Sequence, residues 1–282
     1  MKQRLTISLF GITILLFSIC YSHNPLFRPI FTLITAGVIC FAQWEYYHIA
    51  HGKGYTPLTT LGIIGSIAYV FANFFGVQYP VVSILPQIVL WITLITAFSY
   101  YFIKGSDPFN NLAITIFGII YLTIPLSLVL NITYYFPDDQ PQDGRWWLFY
   151  LLLITKITDT GAYFIGKKWG VSKMVPYISP KKSWEGAAGG LVTAILTSLV
   201  FYYTVGTTFE TPPITLTYFG SVWIAASISL LAQFGDLAES LLKRDVGVKD
   251  SSQLPGLGGF LDVVDSIIFT CPFLYFVLKL TY

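Results

Sequence analysis

The chain has 282 residues, of which 55% are hydrophobic, 17% aromatic and 11% charged, with a formal net charge of +2. That composition excludes an ordinary soluble domain and points to a polytopic membrane protein, and the near-neutral charge gives no sign of a nucleic-acid partner. Cys20, Cys40 and Cys271 lie in apolar runs without metal-ligand spacing and read as buried hydrophobes.

Apolar runs, each close to the roughly 20 residues that cross a bilayer, follow at about 6–22, 29–50, 58–76, 80–103, 110–131, 147–166, 187–206, 216–238 and 263–281. The expected fold is therefore all-α, with about nine transmembrane helices. The first run follows Lys2 and Arg4 but has no small-x-small cleavage site, so it reads as a retained helix and not a signal peptide. In the second, QWEYYHIAHGK offers Glu45, His48 and His51 at helical spacing. A di-iron bundle would need a second such motif and the chain has none, so these residues read as a polar helix end at the membrane interface.

Cations set the orientation. With the N-terminus cytoplasmic, Lys2, Arg4, Lys53, Lys104, Lys167, Lys168, Lys173, Lys181, Lys182, Lys243, Arg244 and Lys249 fall on the cytoplasmic side, and only Arg28, Arg145 and Lys279 fall outside. Lys156 lies within the sixth run. The acidic loop TYYFPDDQPQDGR, with Asp138, Asp139 and Asp143, is expected on the outer side. Residues 1–145 carry few ionisable groups, whereas 146–282 hold nearly all the candidate chemistry. The first part is therefore expected to form about five spans and the second the catalytic helices and cytoplasmic loops.

At the end of the sixth run, KITDTGAYFIGKKWG puts Lys156, Asp159 and Tyr163 on one helical face. An ionisable side chain inside a span is costly, which makes Asp159 a functional candidate. The following SKMVPYISPKKSWEGAAGG sets Lys181, Lys182 and Ser183 before a Gly/Ala-rich helix start, where backbone N–H groups also favour phosphate.

The densest chemistry lies in GDLAESLLKRDVGVKDSSQLPGLGGFLDVVDS. Asp236, Glu239, Ser240 and Lys243 fall at i, i+3, i+4 and i+7, one face of a helix leaving the bilayer, and Asp262 and Asp265 repeat the pattern where the last run begins. Carboxylates converging from two helix ends repel one another unless a divalent cation sits among them. The residues thus point to metal-assisted phosphoryl or nucleotidyl transfer at a membrane surface.

This stretch resembles the signature of the phosphatidate cytidylyltransferases (CDP-diacylglycerol synthases), which runs Ser-x-x-Lys-Arg, four residues, Lys-Asp, then Pro-Gly-His-Gly-Gly and Asp-Arg-x-Asp. Here stand Ser240, Lys243, Arg244, Lys249 and Asp250, then Pro255, Gly256, Gly258, Gly259, Asp262 and Asp265. The segments DTGAYFIG and SPKKSWEG and the pair Gly235, Asp236 look like further motifs of that family. Leu257 replaces the His, Val263 replaces the Arg, and the segment between Asp250 and Pro255 is one residue short. Neither Leu nor Val can bind phosphate or titrate, so any family role of those two side chains is absent.

The resemblance implies that CTP and phosphatidic acid react to give CDP-diacylglycerol and pyrophosphate, in an integral protein of the inner, cytoplasmic membrane whose site faces the cytoplasm. It implies Mg²⁺ on Asp236, Asp262 and Asp265, allows a second metal ion, and allows a homodimer. Asp236, Lys243, Arg244, Lys249, Asp262 and Asp265 would carry catalysis, with Asp159, Lys181, Lys182, Ser183, Ser240, Asp250, Gly258 and Gly259 around the substrates. Two alternatives remain open. A CTP-dependent polyprenol or phytol kinase would transfer the γ-phosphate, and a membrane transporter would use Lys156, Asp159 and Asp236 as an ion path.

Overall fold

Prolines start several helices of this chain: Pro29, Pro86 and Pro108 each occupy a first-turn position, where the missing N–H has no intrahelical acceptor to lose. The computed structural model describes residues 13–137, 140–248 and 259–282. Residues 13–21 are helical (α1), and α2 (Arg28–Gly52), α3 (Thr59–Gln78) and α4 (Leu85–Lys104) follow. Next, α5 (Pro108–Gly118) runs through a π-helical turn at Ile119–Thr123 into α6 (Ile124–Thr133). The turn directly precedes Pro125, whose ring displaces the carbonyl four residues earlier from regular helical bonding. Then come α7 (Gly144–Trp169), strands β1 (Lys173–Val175) and β2 (Ser179–Ser183), α8 (Trp184–Thr208), α9 (Tyr218–Asp245) and α10 (Phe260–Thr281).

Among the described residues, seven helices are long and apolar enough to cross a membrane: Thr59–Gln78, Pro80–Lys104, Pro108–Thr133, Gly144–Trp169, Trp184–Thr208, Tyr218–Asp245 and Phe260–Thr281. The chain is accordingly an integral membrane protein. Two of the nine apolar runs fall outside this set. The first begins in residues that are not described, and α2, though 25 residues long, carries Arg28, Glu45, His48 and His51. The cysteines also depart from expectation: Cys271 is buried, but Cys40 is half-buried and Cys20 exposed. Acyl chains are as apolar as a protein core, so a membrane helix has no need to bury such a residue.

The described residues divide into two units, one within Met1–Tyr134 and Asp245–Val264, the other within Tyr135–Arg244 and Asp265–Tyr282. In the first unit, helices are tied by neutral polar pairs. Gln43 Nε2 donates to Tyr47 Oη (2.9 Å), which donates to the Thr115 carbonyl (2.8 Å). The Ser66 and Thr123 hydroxyls are 2.7 Å apart, and Asn73 Nδ2 donates to Asn131 Oδ1 at 2.6 Å.

In the second unit, α7 and α8 approach closely because glycines line their contact. A Cβ on Gly189 would come within 2.5 Å of Ile165, and one on Gly190 within 2.9 Å of the Thr158 carbonyl. Small residues that let backbones meet are how membrane helices gain packing without a hydrophobic driving force. The family-like segment DTGAYFIG and the Gly/Ala-rich start of α8 thus meet as a packing surface.

Candidate active site

Between α7 and α8 the chain leaves the helical pattern and forms an antiparallel hairpin, with Lys173 opposite Ser183 and Val175 opposite Ser179. Ser183 ends β2 and also caps α8, its Oγ accepting from Gly186 N at 3.2 Å. One of the backbone donors expected to be open to phosphate is thus already taken. Glu185 reaches back across the hairpin base and accepts from Ser172 N (3.0 Å) and Val171 N (3.2 Å). At the far turn, Arg244 Nε donates to the Ile178 carbonyl at 3.0 Å and ties the end of α9 to the hairpin.

The hairpin walls a cavity of about 730 Å³ whose lining includes Asp159, Lys167, Lys173, Lys181, Lys182, Ser183 and Asp236. Four ammonium groups on one cavity suit a polyanion. Lys181 is exposed and Lys182 half-buried, whereas Ser183 is buried at the base of the wall.

On α9 the acidic face meets the start of α10. A Cβ on Gly235 would overlap the Asp265 carbonyl, so glycine is what lets the two backbones touch there. Beside that contact, carboxylate oxygens of Asp236, Glu239 and Asp265 lie within 4.8 Å of one another. Glu239 is 1% exposed and Asp265 6%. Two of the three carboxylates have lysine partners: Lys182 Nζ is 2.5 Å from Asp236 and Lys243 Nζ 2.6 Å from Glu239. On α7, Lys156 pairs with Asp159 at 3.6 Å, the i,i+3 relation expected of that face.

Oxygen-only donors at this spacing suit a hard divalent cation, whose oxygen ligands lie about 2.0–2.6 Å away. Asp236 and Asp265 of this cluster are expected metal ligands, and Glu239 lies on the same face of α9 as Asp236. Asp262 is half-buried in the first turn of α10 and accepts from Gly259 N at 3.2 Å. Ser240 is half-buried on α9. Lys249, Asp250, Leu257 and Gly258 lie outside the described residues.

A model of the cytidylyltransferase family matches residues 2–281. The chain belongs to the cytidylyltransferase family. Among its relatives, a phosphatidate cytidylyltransferase of Chlamydia pneumoniae is 31% identical over 291 residues, covering 99% of this chain and 92% of the relative. A phosphatidate cytidylyltransferase of Bacillus subtilis is 35% identical over 195 residues, 69% of this chain and 68% of its own length. That of Haemophilus influenzae reaches 40% over 148 residues, about half of either chain, 52% and 49%.

One acidic residue departs from the reading of its sequence. Glu45 is not a polar helix end in contact with the interface: it is 1% exposed and accepts from the backbone N–H groups of Phe260 (3.0 Å) and Leu261 (2.8 Å). His48 and His51 are exposed, as expected of the helix end. No local signal could have revealed Glu45, because its partners are 215 and 216 residues away.

Proposed function

We propose that the chain is a phosphatidate cytidylyltransferase, making CDP-diacylglycerol and pyrophosphate from CTP and phosphatidic acid. The observation that carries this reading is the convergence of Asp236, Glu239 and Asp265 beside a lysine-lined cavity, in a chain that matches phosphatidate cytidylyltransferases along nearly its whole length. In the reaction, a phosphatidate oxygen attacks the α-phosphorus of CTP, the bond to the α–β bridging oxygen breaks, and pyrophosphate leaves. Phosphatidate is already anionic at neutral pH, so no general base is required.

The catalytic task is then positioning and neutralising phosphate charge. Asp236, Glu239 and Asp265 would hold Mg²⁺, with Asp262 one turn earlier on α10 as a further acidic contributor, and the ion supplies charge neutralisation to the reacting phosphates. Lys173, Lys181 and Lys182 line the cavity and would bind the triphosphate, while Lys243, Arg244 and Lys249 contribute positive charge from the signature stretch. Ser183 holds the cavity wall in register with α8, and Asp159 sets the position of Lys156. Ser240, Asp250, Gly258 and Gly259 complete the substrate surroundings in this reading.

The same proposal includes nine membrane crossings with the N-terminus and the site on the cytoplasmic side, and residues 146–282 as the catalytic part. The excess of Lys and Arg in the loops assigned to that side supports it. The test is to incubate the purified protein in phosphatidate-containing bilayers with CTP labelled at the α- or the γ-phosphate. Label entering the lipid from the α position is the expected result. Label entering from the γ position would make the chain a lipid kinase and overturn the proposal.

A further inference from the structure

Helix α10 carries Asp262 and Asp265 in its first two turns, and the start of a helix leaves four backbone N–H groups without acceptors of their own. Local capping supplies one. Asp262 accepts from Gly259 N, while the next two donors, Phe260 N and Leu261 N, go to the two oxygens of Glu45 on α2. One turn before Glu45, the ring of Phe41 stacks on that of Phe260, with centroids 4.9 Å apart and an interplanar angle of 17°. Helix α2 therefore grips the first turn of α10 by a carboxylate fork and an aromatic face.

Ordinary helix caps come from the residue just before the helix, and a short Ser, Thr or Asp suffices. A buried glutamate from a distant helix is a costlier choice, since withdrawing a carboxylate from water costs several kcal/mol before the helix dipole and two charge-assisted hydrogen bonds offset it. What it adds over a local cap is position. The two oxygens fix both the height and the rotation of α10 against α2, and rotation of that turn decides where its acidic side chains point.

We infer that Glu45 is a positioning residue for the metal-binding carboxylates of α10. It acts through the backbone of Phe260 and Leu261, and the inference rests on the reading of Asp262 and Asp265 as metal contributors. Partners of this kind, once removed, typically lower metal affinity or activity about 10–100-fold.

The test measures Mn²⁺ binding by electron paramagnetic resonance on the purified protein without substrates, and in parallel the Mg²⁺ concentration that half-saturates cytidylyl transfer. Glu45→Ala is expected to raise both the Mn²⁺ dissociation constant and the Mg²⁺ midpoint at least about tenfold. Glu45→Gln, which keeps one carbonyl acceptor, is expected to fall between wild type and Glu45→Ala. Both variants are neutral, so a difference between them reports hydrogen bonding and not charge. Unchanged Mn²⁺ binding and Mg²⁺ midpoint in Glu45→Ala, even with a lowered melting temperature, would overturn the inference and leave Glu45 a structural cap. Where Glu45→Ala gives no folded protein, Glu45→Gln decides by the same criterion. Wild type that binds Mn²⁺ but transfers no cytidylyl group would sink the proposed function while leaving the Mn²⁺ comparison to judge Glu45, and wild type that binds no Mn²⁺ overturns both.

Discussion

The two units of this chain hold their helices together with different chemistry. In the first, amide and hydroxyl groups join α2, α3, α5 and α6, through Tyr47 with Gln43 and Thr115, Ser66 with Thr123 and Asn73 with Asn131, and charge enters in the Glu45 carboxylate on the amides of α10 and in the Lys53–Asp245 pair. In the second, Lys182 pairs with Asp236, Lys243 with Glu239 and Lys156 with Asp159, all on helices or strands around one cavity. Neutral pairs join membrane helices at little cost in desolvation, whereas a buried ion pair seldom repays its own. The ionic unit is therefore not the better-glued one. Its lysines hold in place carboxylates that would otherwise repel one another.

Breaking one half of a buried pair gives the largest effect expected. Lys243→Met leaves Glu239 charged and 1% exposed, and should cost about 3–5 kcal/mol of stability in a detergent unfolding experiment. The double variant Lys243→Met, Glu239→Gln should recover most of that stability while remaining poor at cytidylyl transfer. Recovery of both would mean that the pair is structural after all. Next, Asp236→Asn and Asp265→Asn should each lower turnover at least about a hundredfold, the scale of losing one preorganised electrostatic contributor, with the protein still folded. Wild-type turnover with an intact Mg²⁺ requirement in either variant would remove that residue from the site.

Gly235→Ala sharpens the comparison differently, because it changes no charge. The added methyl meets the Asp265 backbone, so separation of α9 from α10 should cost about 1–3 kcal/mol and weaken Mg²⁺ dependence along with stability. A stable variant with normal Mg²⁺ dependence would show that the close approach is incidental. The smallest effect belongs to a neutral pair of the first unit. Ser66→Ala, opposite Thr123, should cost about 1 kcal/mol and leave cytidylyl transfer per folded molecule unaltered. A large loss of activity there would erase the contrast between the units.

Much of this organisation is written locally in the chain. The seven apolar helices coincide with seven apolar runs, because length and apolarity alone decide whether a helix can cross a bilayer. Helical spacing also put Asp236, Glu239 and Lys243 on one face of α9. The hairpin Lys173–Ser183 was not legible: its strands have three and five residues, too short for an alternating pattern. Motif spacing points to Asp262, and only the approach of α9 and α10 at Gly235 brings Glu239 together with Asp236 and Asp265. Glu45 was opaque for a related reason, since its meaning lies in two amides at the far end of the chain.

Ser183 is at once the last residue of β2 and the cap of α8. Strand and helix share that residue as two beams share a pin, and Arg244 braces the other end of the hairpin through Ile178. Swinging the wall outward would uncap one membrane helix and unfasten another. A ligand of this cavity would then pass a wall anchored at both ends, whose exposed side chains, such as Lys181, can be exchanged without touching either anchor.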